Sequence, residues 1–576
     1  MSDKYAPREW HPDERPTMPG GPSFPRHSTP RRIAFFLVGT LVTLTGGLGN
    51  ALVTVNLVNL QGALGAFAAE TNWLPTAYVM TNASMNLLLV KFRQQFGLRA
   101  FTEFFLVLYA LVTFAHLFVN DLGSAIAVRA AHGMVGAALS TLGLYYTLQS
   151  FKKEWRPRGI IISTGISQLA QPIAYLFSTR LLEVAEWRGL YLFELGLTLV
   201  TLGAVLWLKL PPGDRFRAFR PTDFLTFALF APGMALLCAA LTFGRVLWWT
   251  QEPWVGVALA VSIVLLLAAV AVEHNRKHPL LNLRWLTNGM IARLFLCMML
   301  VRVVLSEQSV GAVGFLRMVG LNNDQLTTLF GVVLACTLLG IAVSVLILDT
   351  AHLMAPQVVA LLIMALGAWI DSHATSVTRP AQMYVSQGLL AFGGVMFLGP
   401  LLLTLMGSVV TNPANLITFS VLFGLTQNLG GLIGSSLLGT FQVVREKFHS
   451  STLADQLSSL DPLVAARIQQ SGAAYGRMLA DPAARTRQGV AALAQTATRE
   501  ANILAYNDVF LLIAIIAVLL ALWIFGRALW IMYVHPLPAA PAPTPEAPPT
   551  DSPIADPHGQ PPEPVALQPA TAARLP

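Results

Sequence analysis

The chain is a succession of apolar runs of about 20 residues, and about fourteen can be counted between residues 33 and 534, each long enough to cross a bilayer as a helix. Away from water a backbone must satisfy its own donors and acceptors, so such runs fold as helices and nothing else open to the lipid survives. They occupy residues 33–60, 73–90, 100–119, 126–147, 160–182, 190–210, 224–244, 254–272, 293–313, 326–348, 354–370, 383–406, 413–443 and 509–534. Composition agrees: 55% of residues are hydrophobic, 11% are charged and the mean hydropathy is +0.60, far too apolar for a soluble domain. The expected class is an all-α integral membrane protein, and no apolar run at the start has the short form of a cleaved signal.

The runs at 224–244 and 254–272 are almost free of ionisable residues. They divide the chain into a first six-helix bundle at 33–210, a connector with two additional central helices at 211–286, and a second six-helix bundle at 287–534 that includes an external loop at 445–505. The flanking segments 1–32 and 535–576 are rich in proline without apolar periodicity, and are expected to be disordered. The net charge of +8 does not point to nucleic acid, because lysine and arginine crowd the short connections at 91–99, 152–158, 209–220 and 276–284 while 61–72 and 120–123 hold none. That bias places both termini in the cytoplasm. Cys238, Cys297 and Cys336 all lie in apolar runs and read as packing residues. No glycine precedes a lysine, so there is no phosphate-binding loop, and His274 and His278 lack the acidic partner of a helical zinc site. The chain is not expected to be an enzyme, and no cofactor or metal is implied.

Polar residues inside the runs are the candidate functional groups. Arg129 sits within 126–147, where a lone cation costs from roughly 2.5 to above 10 kcal/mol and normally faces a bundle interior or a wet cavity. Arg129, His132, Gly133 and Gly136 share one helical stripe; the other reading is an arginine snorkelling to an interface. Glu194, Arg302 and Glu307 are further buried-charge candidates, with Glu194 alternatively an interfacial carboxylate paired with Arg188. Asn50, Asn56, Tyr78, Asn82, Asn86, Gln168, Gln171 and Tyr175 would suit a cavity with sparse polar groups in an apolar wall, or serve as hydrogen-bonded glue between helices.

Several stretches, RAAHGMVGAA at 129–138, NWLPTAYVMTNA at 72–83, Trp187-Arg188, EHNRKHPLLNLRWL at 273–286 and TQNLGGLIGSS at 426–436, together resemble the major facilitator superfamily, and within it the fourteen-span drug:proton antiporters of the EmrB/QacA type. Arg129, His132 and Gly133 stand at the arginine, glutamine and first glycine of that family's fourth-span motif, and Val135 at its second glycine. The family's first-span aspartate falls at Asn50 or Ala51, and neither can release a proton. Of the loop motif after span two mainly Gly97 remains, and the fifth-span proline motif survives as QPIAYL around Pro172.

The resemblance implies an MFS fold and a bacterial inner-membrane, multi-pass exporter of toxic amphiphilic organic compounds, coupled to protons by alternating access. With no acid in the first span, Glu307 or Glu194 would replace the missing aspartate, His132 being a further titratable candidate. It also implies a periplasmic adaptor and an outer-membrane channel as partners, met by the loop at 445–505. The alternative is a non-coupled facilitator or receptor-like pseudo-transporter of the same fold.

Overall fold

The computed structural model describes residues 10–11, 14–16, 20–276, 279–411, 415–458 and 460–534; the segment 535–576 lies outside them. All regular structure among the described residues is helical. In chain order the principal helices are α1 (Thr29–Val55), α2 (Trp73–Phe96), α3 (Leu98–Ala115), α4 (Leu122–Gln149), α5 (Arg156–Gln168), α6 (Ala170–Trp207), α7 (Pro221–Val246) and α8 (Pro253–His274). They continue with α9 (Gly289–Leu305), α10 (Val313–Met318), α11 (Asn323–Leu346), α12 (Met354–Asp371), α13 (Tyr384–Thr411), α14 (Leu416–Gln456), α15 (Pro462–Ala473) and α16 (Pro482–Val534).

Thirteen helical segments among the described residues are long and apolar enough to cross a membrane. α6 contributes to two of them: Glu186 adopts φ 51°, and the segments Lys153–Glu183 and Glu186–Trp207 lie on either side of it. The segment missing from the thirteen is α2. Its 24 residues would span about 36 Å, but amides and the buried Lys91 and Arg93 lower its hydropathy.

Within the first half α1 and α2 pack on α4, and α1 and α3 on α6; in the second, α12 and α11 pack on α13, and α9 on α14. The halves meet where α2 touches α14, α6 touches α11 and α5 touches α13. The paired helices α7 and α8 lie beside this seam, α7 touching both α2 and α14. A buried polar cluster fixes them: Lys91 Nζ is 2.5 Å and Arg276 Nη2 2.7 Å from Asp223, and Glu273 accepts from Arg276, Thr226 and the Leu280 and Leu281 amides. These four charged side chains are at most 10% exposed, which is tolerable only because every charge has a partner.

The loop at 445–505 is defined by its helices, and one expectation changes. In the loop α15 is a short helix, while α14 has 41 residues and α16 has 53, about 60 and 80 Å at 1.5 Å per residue, so both run well past an apolar layer about 30 Å thick. Asp508 ties their bases, 2.6 Å from Arg445 Nε and 2.7 Å from His449 Nε2. The segment expected to stay disordered up to residue 32 is structured from residue 20: Gly20, Gly21, Pro22 and Ser23 are buried and α1 begins at Thr29. Low hydrophobicity predicts that a segment cannot build a core of its own; it does not prevent docking on one supplied by the bundle.

Candidate functional site

Helix α4 starts at Asp121, whose carboxylate accepts from the Ser124 amide at 2.8 Å, a cap that sets the stripe carrying Arg129 two turns later. Side-chain volume then decides what can approach. A Cβ at Gly133 would collide with the Tyr78 carbonyl and Thr81, and one at Gly136 would lie 2.7 Å from the Tyr78 hydroxyl, so the glycines allow α2 to press against α4.

Arg129 is fully buried. Its Nη1 donates to the Gly49 carbonyl at 2.9 Å, its Nη2 to Asn50 Oδ1 at 2.8 Å, and its Nε to the Leu74 carbonyl at 3.4 Å. The guanidinium also lies 4.6 Å from the centroid of the Tyr78 ring, a cation–π geometry. His132 Nδ1 is 3.1 Å from Arg129 Nη1. Because arginine only donates, Nδ1 accepts and the ring proton is left on Nε2, which faces Glu194 Oε1 at 2.9 Å. The Tyr109 hydroxyl donates to the same oxygen at 2.9 Å. A Cβ at Gly49 would fall among Tyr109, Glu194 and His132. One network therefore draws on α1, α2, α3, α4 and α6, with an imidazole between a buried cation and a buried anion.

These positions answer the alternatives left open by the sequence. Arg129 does not snorkel. Glu194, 1% exposed, meets His132 and Tyr109, whereas Arg188 covers the ring of Trp187 at 4.7 Å.

The second half holds a different arrangement. Glu307 opens a π-helical turn, Glu307–Ala312, between α9 and α10; such turns widen a helix locally and re-aim its side chains. Gln387 Nε2 on α13 donates to both Glu307 oxygens, at 2.9 and 3.1 Å, and lies 2.8 Å from Asp371 Oδ2. Ser386 Oγ donates to Asp371 Oδ1 at 2.5 Å. Glu307 is 0% and Asp371 4% exposed, and among the described residues neither carboxylate has an ion-pair partner. Arg302 serves α14 instead, donating to the Gln427 carbonyl at 3.1 Å with its stem against Gly430. Sequence reasoning missed Asp371, because the apolar run stops at residue 370 and an acid next to it reads as interfacial.

The remaining polar residues do not gather into one cavity. Asn82 donates to the Gly133 carbonyl at 3.2 Å and accepts from Asn428 of α14 at 2.9 Å, joining the halves, and Asn86 bonds the Asn82 carbonyl at 2.9 Å. Asn56 is fully buried at the end of α1, bonded to the Leu52 carbonyl at 2.8 Å. Tyr175 stacks on Phe330 at 3.7 Å; Gln168 donates to Ser167 Oγ at 3.0 Å, and Gln171 is exposed. A cleft of about 340 Å³ is lined by Asn59, Ala63, Leu182, Glu186 and Trp187, none of them expected from the sequence.

Comparison with known proteins matches this architecture. The chain is 26% identical over 230 residues to a major facilitator superfamily multidrug transporter, mfsC, of Aspergillus fumigatus, covering 39% of this chain and 43% of that protein. It is 21% identical over 431 residues to the uncharacterized MFS-type transporter YhcA of Bacillus subtilis, covering 73% of this chain and 80% of that one. The chain spans less than half the length of the fungal relatives it matches. Among solved structures, the human organic anion transporter MFSD10 superposes with a TM-score of 0.51 at 11% identity, over 85% of this chain and 100% of that one. A bacterial homologue of the human drug peptide transporters PepT1 and PepT2 gives 0.50 at 12%, over 87% and 99%. The Major Facilitator Superfamily model itself matches residues 39–435. With that match running from α1 into α14, the chain belongs to the Major Facilitator Superfamily.

Proposed function

We propose that this protein is a secondary transporter that exports amphiphilic organic compounds in exchange for protons, with α2 as a fourteenth span and both termini in the cytoplasm of a bacterial inner membrane. The observation that carries the coupling is the Glu307–Gln387–Asp371 cluster. Two carboxylates share one amide donor and, among the described residues, have no ion-pair partner, and keeping both charged in a dry bundle costs several kcal/mol. A proton held between them removes that cost, and rearrangement of α9 against α13 during alternating access would release it. This supplies the acid that Asn50 cannot. Glu194, already answered by His132 and Tyr109, has the structural role in this reading, and Arg129 and His132 hold it in place. The multidrug name of the Aspergillus fumigatus relative supports the substrate class, as do the apolar helices with sparse amides. The ends of α14 and α16 beyond the apolar layer, with α15 between them, would meet a periplasmic adaptor leading to an outer-membrane channel.

The test is uptake of ethidium by inverted membrane vesicles. An interior-acid pH gradient is expected to raise the uptake rate several-fold over vesicles lacking the protein, and collapsing the gradient to abolish the gain. Uptake that persists undiminished without a gradient would make the protein a facilitator.

A further inference from the structure

Helix α11 reaches from one face of the bundle to the other: its 24 residues span about 36 Å, against an apolar layer of about 30 Å. It belongs to the second half, and near each of its ends a hydrogen-bonded junction joins it to the first. The two junctions use the same chemistry. The last four carbonyls of a helix have no partner inside it, and the negative end of the helix dipole lies there, so an arginine brought in from another element makes a strong cap.

At the outer end the capped helix is α1 of the first half, which stops at Val55. Arg317 of α10 donates from Nη2 to the Val55 carbonyl at 3.1 Å and to Asn323 Oδ1 at 3.1 Å. Asn323 Nδ2, at the start of α11, donates to the same carbonyl at 3.0 Å. Beside them Thr179 Oγ1 of α6 donates to Asp324 Oδ1 at 2.9 Å. Three hydrogen bonds of 3.1 Å or less therefore join the halves at this end. An apolar cluster drawn from both halves lies with them, including Leu52 and Ala174 from the first and Phe315 and Leu329 from the second.

At the inner, basic end the halves exchange roles. The capped helix is α11 itself, which stops at Leu346, and the arginine comes from the first half: Arg158 Nε of α5 donates to the Val345 carbonyl at 3.4 Å. The apolar cluster at this end sets Leu148 and Ile160 of the first half with Leu401 and Leu405 of the second. The inner cap is one long bond, and the outer cap is two shorter ones on a single carbonyl.

We propose that Arg317 and Arg158 are reciprocal latches, Arg317 holding the outer mouth shut and Arg158 the inner one, and that the two are released in turn. A cap made across the seam lasts only while the halves meet at that face; when they part, water takes its place on the carbonyl. The outer latch is the stronger, so the inner mouth opens more readily. That the inner mouth admits cargo rests on the function proposed above; the latching itself does not.

The test needs no substrate. In the purified full-length protein with Cys238, Cys297 and Cys336 replaced by alanine, Ala174→Cys reports on the outer cluster and Leu148→Cys on the inner one. Each is read by its rate of reaction with a soluble maleimide in detergent, where both faces are accessible. Arg317→Met is expected to raise the rate at the outer reporter roughly tenfold, the effect of losing a hydrogen bond with a charged donor, and to lower it at the inner reporter. Arg158→Met is expected to do the reverse, with a rise of roughly threefold for its single longer bond. Arg317→Lys should restore part of the outer hold, since an ammonium still donates to a carbonyl but cannot reach two acceptors in one plane. Opposite responses at the two reporters separate a latch from a loosened fold, which raises both rates. Rates unchanged by either methionine substitution, or both reporters rising together, would overturn the proposal. If labelling responds as expected while ethidium uptake is absent throughout, the latches stand and the export function fails.

Discussion

Arg129→Met is expected to destabilise the detergent-solubilised protein by ~3–5 kcal/mol, the range found when one member of a buried charge network is deleted. The methionine fills much of the volume but donates nothing. The Gly49 and Leu74 carbonyls and Asn50 Oδ1 lose their donor, and His132 loses the partner that fixes its tautomer. Glu194 then remains as a buried anion with only an unoriented imidazole and Tyr109 to answer it. Thermal unfolding followed by tryptophan fluorescence checks this. Arg129→Lys is expected to recover only part of the loss, since one ammonium on a flexible stem cannot reproduce three donations in a plane. Were the methionine variant as stable as the parent, the network would be contact without energy.

Glu307→Gln is expected to leave the fold intact and remove the response to a proton gradient. Gln387 can turn its amide oxygen toward the new donor, so the substitution keeps a hydrogen bond while taking away the only group there besides Asp371 that can exchange a proton. In inverted vesicles, ethidium uptake by the variant should be the same with and without the gradient, at least tenfold below the driven rate of the parent, a loss of about 1.4 kcal/mol or more of coupling. Glu194→Gln should behave in the opposite way: lowered thermal stability, because a neutral amide replaces the buried anion that answers the charge beside His132 and Arg129, with the gradient response retained by whatever protein inserts. A Glu307→Gln variant that still responds to the gradient, with a Glu194→Gln variant that does not, would move the coupling site to the first half.

Much of the helical architecture could be read from the chain because lipid leaves so little choice. Apolar runs of sufficient length become helices, and the stripe of Arg129, His132 and Gly133 is fixed by the helical repeat alone. What the repeat does not fix is the partner across the bundle. Glu194 read either as an interfacial partner of Arg188, six positions away, or as a buried charge, and only packing chooses, setting His132 from 62 positions away against it. Asp371 escaped notice for a related reason: hydropathy ends a span at its first acid, yet Ser386 and Gln387 on α13 supply donors that let the helix carry its acid into the interior. The amides of Asn56 and Asn82 were legible as inward-facing, but whether an amide lines a cavity or bonds a neighbour depends on what lies within 3 Å of it. Residues 20–28 were the least legible. They are glycine, proline and serine with Phe24, Arg26 and His27, and the surface they lie on is assembled from α2, α4, α5 and the connector, none of which is near them in sequence.

The account turns on a proton residing between Glu307 and Asp371, and infrared difference spectroscopy of the purified protein in lipid measures this directly, without a substrate. As the pH is raised, the parent is expected to lose a protonated-carboxyl stretching band that is absent from Glu307→Gln and shifted in Asp371→Asn. The same band, with the same pH dependence, in Glu307→Gln would contradict it.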